Sequence, residues 1–233
     1  MKHLFPIKDV NRALTTPHVN RILITVNVLV FLVMFLSELG LMNNDFTVEI
    51  TQKFAMVPLN IIRGQRLYTL FTSIFLHVGV LHLFGNMVYL YIFGDNVEGA
   101  FGHFSYTAFY MVCGLAASFS HILSITDPYS IVTPVIGASG AISGVLGAYL
   151  VLYPKARIMT LIFPIVVPLP AIIFLGFWFF IQWLYLAFEA GGMVAYWAHI
   201  GGFIAGSALA LIFGLKRKKA RETQFRFRDE SAY

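Results

Sequence analysis

Charge is what this sequence has least of. Asp, Glu, Lys and Arg make up 12% of 233 residues, hydrophobic residues make up 58%, and the mean hydropathy is +0.78. A soluble domain of this length cannot bury that much apolar surface, so the excess is expected to face lipid. Cysteine is scarcer still: Cys113 is the only one, which excludes an intrachain disulfide. The long apolar stretches hold almost no carboxylates and the chain shows no internal repeat, which counts against an ion-coupled transporter or channel. No Glu stands beside the histidines in the manner of a metalloprotease helix, so neither a metal nor an organic cofactor is expected. The leader before the first apolar run lacks a small-x-small cleavage site and does not read as a signal peptide.

The charge that is present sits at the ends. Of the 16 Lys and Arg residues, seven fall between Lys216 and Arg228, directly after an apolar run. That placement predicts an anchor against anionic membrane lipid and not a nucleic-acid surface.

Hydropathy marks six candidate spans: about Ile22 to Leu39, Val78 to Gly94, Phe104 to Leu123, Ser139 to Tyr153, Val167 to Phe188 and Trp197 to Leu215. Three prolines between Phe163 and Pro170 are expected to mark the entry into the fifth. The expected organisation is a basic leader over 1–21, one all-α, six-helix membrane domain over 22–215 and a basic tail over 216–233. Basic residues divide 13 to 3 between the two faces of such a bundle. Lys2, Lys8, Arg12, Arg21, Lys155, Arg157 and the tail lie on one face, and Lys53, Arg63 and Arg66 on the other. The bias places both termini in the cytoplasm, and the expected location is the cell (inner/plasma) membrane, crossed several times. The long connection from about residue 40 to 75 is apolar enough to lie partly in the interface.

Polar residues in or beside these spans include His77, His82, Asn86, Ser139, Ser143 and His199. Polar groups at membrane depth face a bundle interior or a cavity and are often functional. Counted from the cytoplasmic ends of their spans, His199 lies roughly 24 Å up, and His82 and Asn86 roughly 20 and 14 Å, at ~1.5 Å per residue. Ser139 opens a span of only about fifteen residues, roughly 22 Å of helix, so it starts below the outer surface of a core about 30 Å thick. The four groups therefore share a depth. Small residues follow Ser139 in Gly137-Ala138-Ser139-Gly140-Ala141-Ile142-Ser143-Gly144, and Gly202 and Gly206 follow His199. Small residues four apart let membrane helices approach until their backbones nearly touch, which would bring Ser139 to His199.

A Gly-x-Ser-Gly string alone marks a turn or packing site more often than a nucleophile, and His82 with Asn86 could simply bond across helices. Matched depth, matched small faces and complementary chemistry together favour a site. His199 would take the proton of Ser139, and the Ser139 amide, His82 and Asn86 would receive an oxyanion. No acid lies at this depth, so the reading is a Ser–His dyad.

These motifs resemble those of the rhomboid proteases over roughly Leu67 to Gly206. Gly137-Ala138-Ser139-Gly140 is similar to the family's nucleophile motif. Ala198-His199 with Gly202 and Gly206 is similar to its histidine motif, and His77, His82 and Asn86 to its His-x4-His-x3-Asn segment. The resemblance implies oxyanion roles for His82 and Asn86 and a structural role for Glu98; His77 reads by itself as structural, bonding loop backbone near the interface. Two departures stand out. Arg66-Leu67-Tyr68-Thr69 lacks the family's Trp-Arg pair, so first-loop contacts do not carry over. Ser143 replaces the aromatic residue expected to stack on the histidine, leaving open what orients His199. The expected function is hydrolysis of transmembrane protein substrates near the outer side of the bilayer through an acyl-enzyme. The alternatives are a catalytically inactive rhomboid-like binding factor and a transporter or channel. Substrate identity and oligomeric state are not legible.

Overall fold

The computed structural model describes residues 5–11, 13–41, 45–188 and 194–230, with side chains as far as residue 224. In chain order the elements are β1 (Phe5–Asp9), α1 (His18–Glu38), α2 (Phe46–Phe54), α3 (Pro58–Ile62), α4 (Thr69–Thr72), α5 (Val80–Phe101) and α6 (His103–Ser124). There follow α7 (Ser139–Leu152), β2 (Arg157–Ile162), β3 (Ile165–Pro170), α8 (Ala171–Ala187), α9 (Tyr196–Leu209) and α10 (Leu215–Glu230). A 3-10 turn over Ser73–Phe75 precedes α5, and one π-helical turn, Ala210–Gly214, makes α9 and α10 one continuous rod.

Small and apolar residues put α7 at the centre. Every residue from Ala141 to Tyr149 is buried, the mark of a helix with no polar face. Helices α5, α6, α8 and α9 surround it, and α1 packs outside α5. Among the described residues, three helices are long and apolar enough to cross a membrane: His18–Glu38, His103–Ser124 and Tyr196–Gln224. A fourth results if Thr69–Phe75 and Val80–Phe101, bent by 97°, form one span. Ser139–Leu152 and Ala171–Ala187 are shorter apolar helices.

The fold is mostly helical, but not wholly so as expected. The proline-rich stretch read as the entry to a fifth span from Val167 is a β-hairpin, and α8 begins only at Ala171. Its strand β2 pairs on its other side with β1, giving an antiparallel sheet of order β1-β2-β3. Pro168 and Pro170 stand opposite Met159 and Arg157. Having no N–H, they fit where an antiparallel ladder points its groups outward, so edge strand β3 presents few bare donors. Stacking of Phe5 on Phe84 and a hydrogen bond from Asn96 Nδ2 to Asp9 lay β1 along α5, while β2 and β3 lean on α8.

The end of α5 away from Val80 is closed by charge. Glu98, fully buried, accepts the Val19 and Asn20 amides at 3.0 and 2.7 Å and meets His103 Nδ1 at 2.5 Å. It thus caps α1, whose own N-cap Pro17 offers no side-chain acceptor. The basic run does more than wait for lipid. Arg217 donates to Phe101 O, Arg221 to Gly99 O and Lys218 to Leu152 O, and Lys218 also sits 4.0 Å over the Tyr153 ring. Cations thereby meet the negative ends of α5 and α7. Lys2 and Arg12 lie outside the described residues, as do the side chains of Arg226 and Arg228.

Candidate active site

Ser139 is the first residue of α7, where amides have no intrahelical acceptor. The loop before it is pinned from two sides: Gly137 N–H donates to Ser73 O at 2.9 Å, and Val135 forms a bridge with Met56. Gly137 has φ +124°, a conformation side chains rarely adopt. A Cβ placed there would lie 2.9 Å from His82 Cε1, 3.0 Å from His82 Nε2 and 3.9 Å from Ser139 Oγ. Glycine thus leaves a small space lined by both side chains.

Helix α9 comes against α7 backbone to backbone. A Cβ on Gly202 would strike Gly140 O, and one on Gly206 would strike Gly144 O. Gly140 and Gly144 are closed off on another side by Ala117 and Cys113 of α6. Gly140, Gly144, Gly202 and Gly206 thus lie in the close contact of α7 with its neighbours, and Gly137 borders the space beside Ser139. The approach sets His199 Nε2 2.9 Å from Ser139 Oγ, hydrogen-bond distance for a proton transfer.

The other predicted residues divide. His82 stands at the site. Asn86, buried one turn on, gives one N–H to His82 O at 3.0 Å and retains a second donor. His77 is buried and packs edge-on against the His82 ring at 5.0 Å, behind the site. Glu98 lies sixteen residues along α5, roughly 24 Å away, in the cap of α1. Ser143, in the position expected to be aromatic, turns its hydroxyl back to Ser139 O at 2.6 Å. In the first loop, Arg66 and Tyr68 donate to carbonyls at the end of α2, Arg66 to Gln52 O and Lys53 O and Tyr68 to Lys53 O.

Sequence reasoning missed the residues around His199. Trp178 of α8 and Tyr196 of α9 place their rings 6.1 and 6.2 Å from the imidazole. Gln182 of α8, buried, reaches His199 Nδ1 with Oε1 at 2.9 Å. One signal was present: Gln182 is the sole amide in a 17-residue apolar helix, and such residues inside membrane segments mark interior sites.

A family model described as Rhomboid domain matches residues 64–216, well over half of the chain. The chain belongs to the rhomboid family. It is 31% identical over 170 residues to "Rhomboid protein 1, mitochondrial" of Saccharomyces cerevisiae, covering 69% of this chain and 44% of that protein. It is 32% identical over 183 residues to "Rhomboid protease GluP" of Bacillus subtilis, covering 77% of this chain and 33% of that one. It is 29% identical over 187 residues to "RHOMBOID-like protein 12, mitochondrial" of Arabidopsis thaliana, covering 74% and 52%. The chain thus spans about half or less of the length of these relatives. Membership makes it a membrane protein. The expected cell (plasma) membrane gains no support from relatives of which two are named mitochondrial.

Proposed function

We propose that this chain is an active serine endopeptidase that cuts transmembrane proteins within the bilayer. The observation that carries the reading is the 2.9 Å approach of His199 Nε2 to Ser139 Oγ at the head of α7, beside His82. His199 takes the hydroxyl proton as Ser139 Oγ attacks the scissile carbonyl. The oxyanion that forms is held by the Ser139 amide, His82 and Asn86. Its collapse expels the amine, which receives the proton from His199, and leaves an acyl-enzyme on Ser139. Water, deprotonated in turn by His199, releases the acid.

Six spans are the reading that accommodates this chemistry, with α1, α5, α6, α7, α8 and the α9–α10 rod crossing in turn. With 14 residues, α7 is roughly 21 Å long, so a bilayer about 30 Å thick would hold Ser139 below its surface. The excess of basic residues then places leader 1–21 and tail 216–233 on the inner side, against anionic lipid. Substrates enter laterally, and those with weak helices near their outer ends are favoured because backbone hydrogen bonds must open before Ser139 can reach a carbonyl.

The test is labelling with a fluorophosphonate probe in detergent, followed by cleavage of a reconstituted single-span substrate. Labelling that disappears in Ser139→Ala supports the protease. A folded wild-type protein that takes up no probe supports the inactive binding factor.

A further inference from the structure

The dyad leaves one atom of His199 to be accounted for. A histidine acts as base through Nε2 only when its proton rests on Nδ1, and the tautomer is set by what Nδ1 meets. Here it meets Gln182 Oε1 at 2.9 Å. The orientation of that amide is itself determined, since Gln182 Nε2 donates to Trp178 O, one turn back in α8, at 3.2 Å. With its nitrogen committed to a carbonyl, the amide presents oxygen to the imidazole. An amide oxygen can only accept, so Nδ1 donates and the Nε2 lone pair faces Ser139.

We infer that Gln182 is a positioning residue that fixes the tautomer and ring plane of His199, so that Ser139, His199 and Gln182 form a three-member chain across α7, α9 and α8. The inference rests on the protease reading. It also answers what orients His199 without an aromatic residue at position 143. A carboxylate in this place would bring a buried negative charge to membrane depth, which is costly. The neutral amide supplies direction alone. It also supports a passing imidazolium less strongly than an ionised partner would, since hydrogen bonds to charged acceptors are roughly twice as strong as neutral ones. Helix α8 thereby gains a part in the chemistry although it contributes no reacting atom: a shift of α8 would turn the base.

The test combines two readouts on the full chain in detergent, with thermal stability followed in parallel. The rate of fluorophosphonate labelling is measured against pH for the wild type, Gln182→Met and Gln182→Glu. Methionine keeps the length and removes the acceptor; glutamate keeps the acceptor and adds charge. We expect Gln182→Met to label roughly 10²-fold more slowly. Gln182→Glu is expected to recover much of that loss. It should also move the acidic limb to higher pH, because a carboxylate at Nδ1 favours the protonated ring. Nitrogen-15 NMR of labelled histidines, with His199 identified by its loss in His199→Ala, should show the Nδ1–H tautomer in the wild type and its loss in Gln182→Met. A labelled wild type carrying the proton on Nε2 overturns the inference. So does a Gln182→Met protein with unaltered rate, or equal slowing in Met and Glu variants with an unmoved acidic limb and lowered stability. A wild type that takes up no probe overturns the protease reading itself, and with it any catalytic purpose for Gln182.

Discussion

The two ends of α5 carry similar polar residues and use them in opposite ways. At the far end, Glu98 has both oxygens occupied by the Val19 amide, the Asn20 amide and His103. At the near end, His82 Nε2 and Ser139 Oγ border a space that Gly137 leaves open, and Asn86 keeps a donor in hand. A polar group whose partners are all supplied by the fold is a strut. One held in place with capacity to spare is a site for something that arrives. The contrast predicts that changes at the near end will strike activity and changes at the far end stability.

The largest expected effect is at the near end. His199→Ala should lower probe labelling and substrate cleavage by roughly 10⁴-fold or more while leaving the melting temperature close to wild type. Substantial turnover in a well-folded variant would remove the distinction between the two ends. Next come His82→Ala and Asn86→Ala, each expected to slow cleavage about 10²–10³-fold, the usual effect of losing one oxyanion donor. Wild-type rates in both would make this pair struts as well.

At the far end the expectation reverses. Glu98→Ala should destabilise by about 2–3 kcal/mol, since it uncaps α1 and strands buried donors, yet leave the rate per folded molecule near wild type. Denaturation and active-site titration of the same sample separate the two quantities. The smallest effect concerns the leader strand. Burial lifts the carboxyl of Asp9 to about 6, opposed by the Tyr149 hydroxyl that donates to it. The folded value exceeds the unfolded one of about 3.9, so the folded state binds more protons between them. Its stabilising contribution is present below about pH 4 and is lost as pH rises through about 6. Hydrogen exchange of the β1 amides should therefore slow from pH 7 to 5, after correction for intrinsic rates. Asp9→Asn should flatten that dependence.

Much of this was legible in one dimension. Apolar runs located some helices closely, with α6 at His103–Ser124 against an expected Phe104 to Leu123, because a bilayer demands long continuous hydrophobicity. They did not fix every end: α5 continues past the expected Gly94 to Phe101, and the last helix continues past Leu215 into the basic tail, because a helix does not stop where its apolar run does. Small residues at spacing four announced the α7–α9 approach, because only glycine lets backbones come that close. The β-hairpin was not legible. Arg157–Ile162 and Ile165–Pro170 are apolar on nearly every position, so the alternation that usually betrays a strand is missing; the first strand falls where the sequence reads as a connection and the second where it reads as the entry to the fifth span. Strand β1 was hidden for another reason: Phe5–Asp9 has a partner only because the chain returns at residue 157.

What the sequence determined by itself was the inventory and its periodicity: which runs belong in lipid, which residues could react, and which faces could touch. These depend on hydrophobicity and helical spacing, which act over a few turns. The tertiary structure alone decided partners across long separations. It set Gln182 on His199, 17 residues on in another helix, and Lys218 on Leu152 O, 66 residues away. A hydrogen bond needs a distance and a direction, and these exist only once the helices have packed.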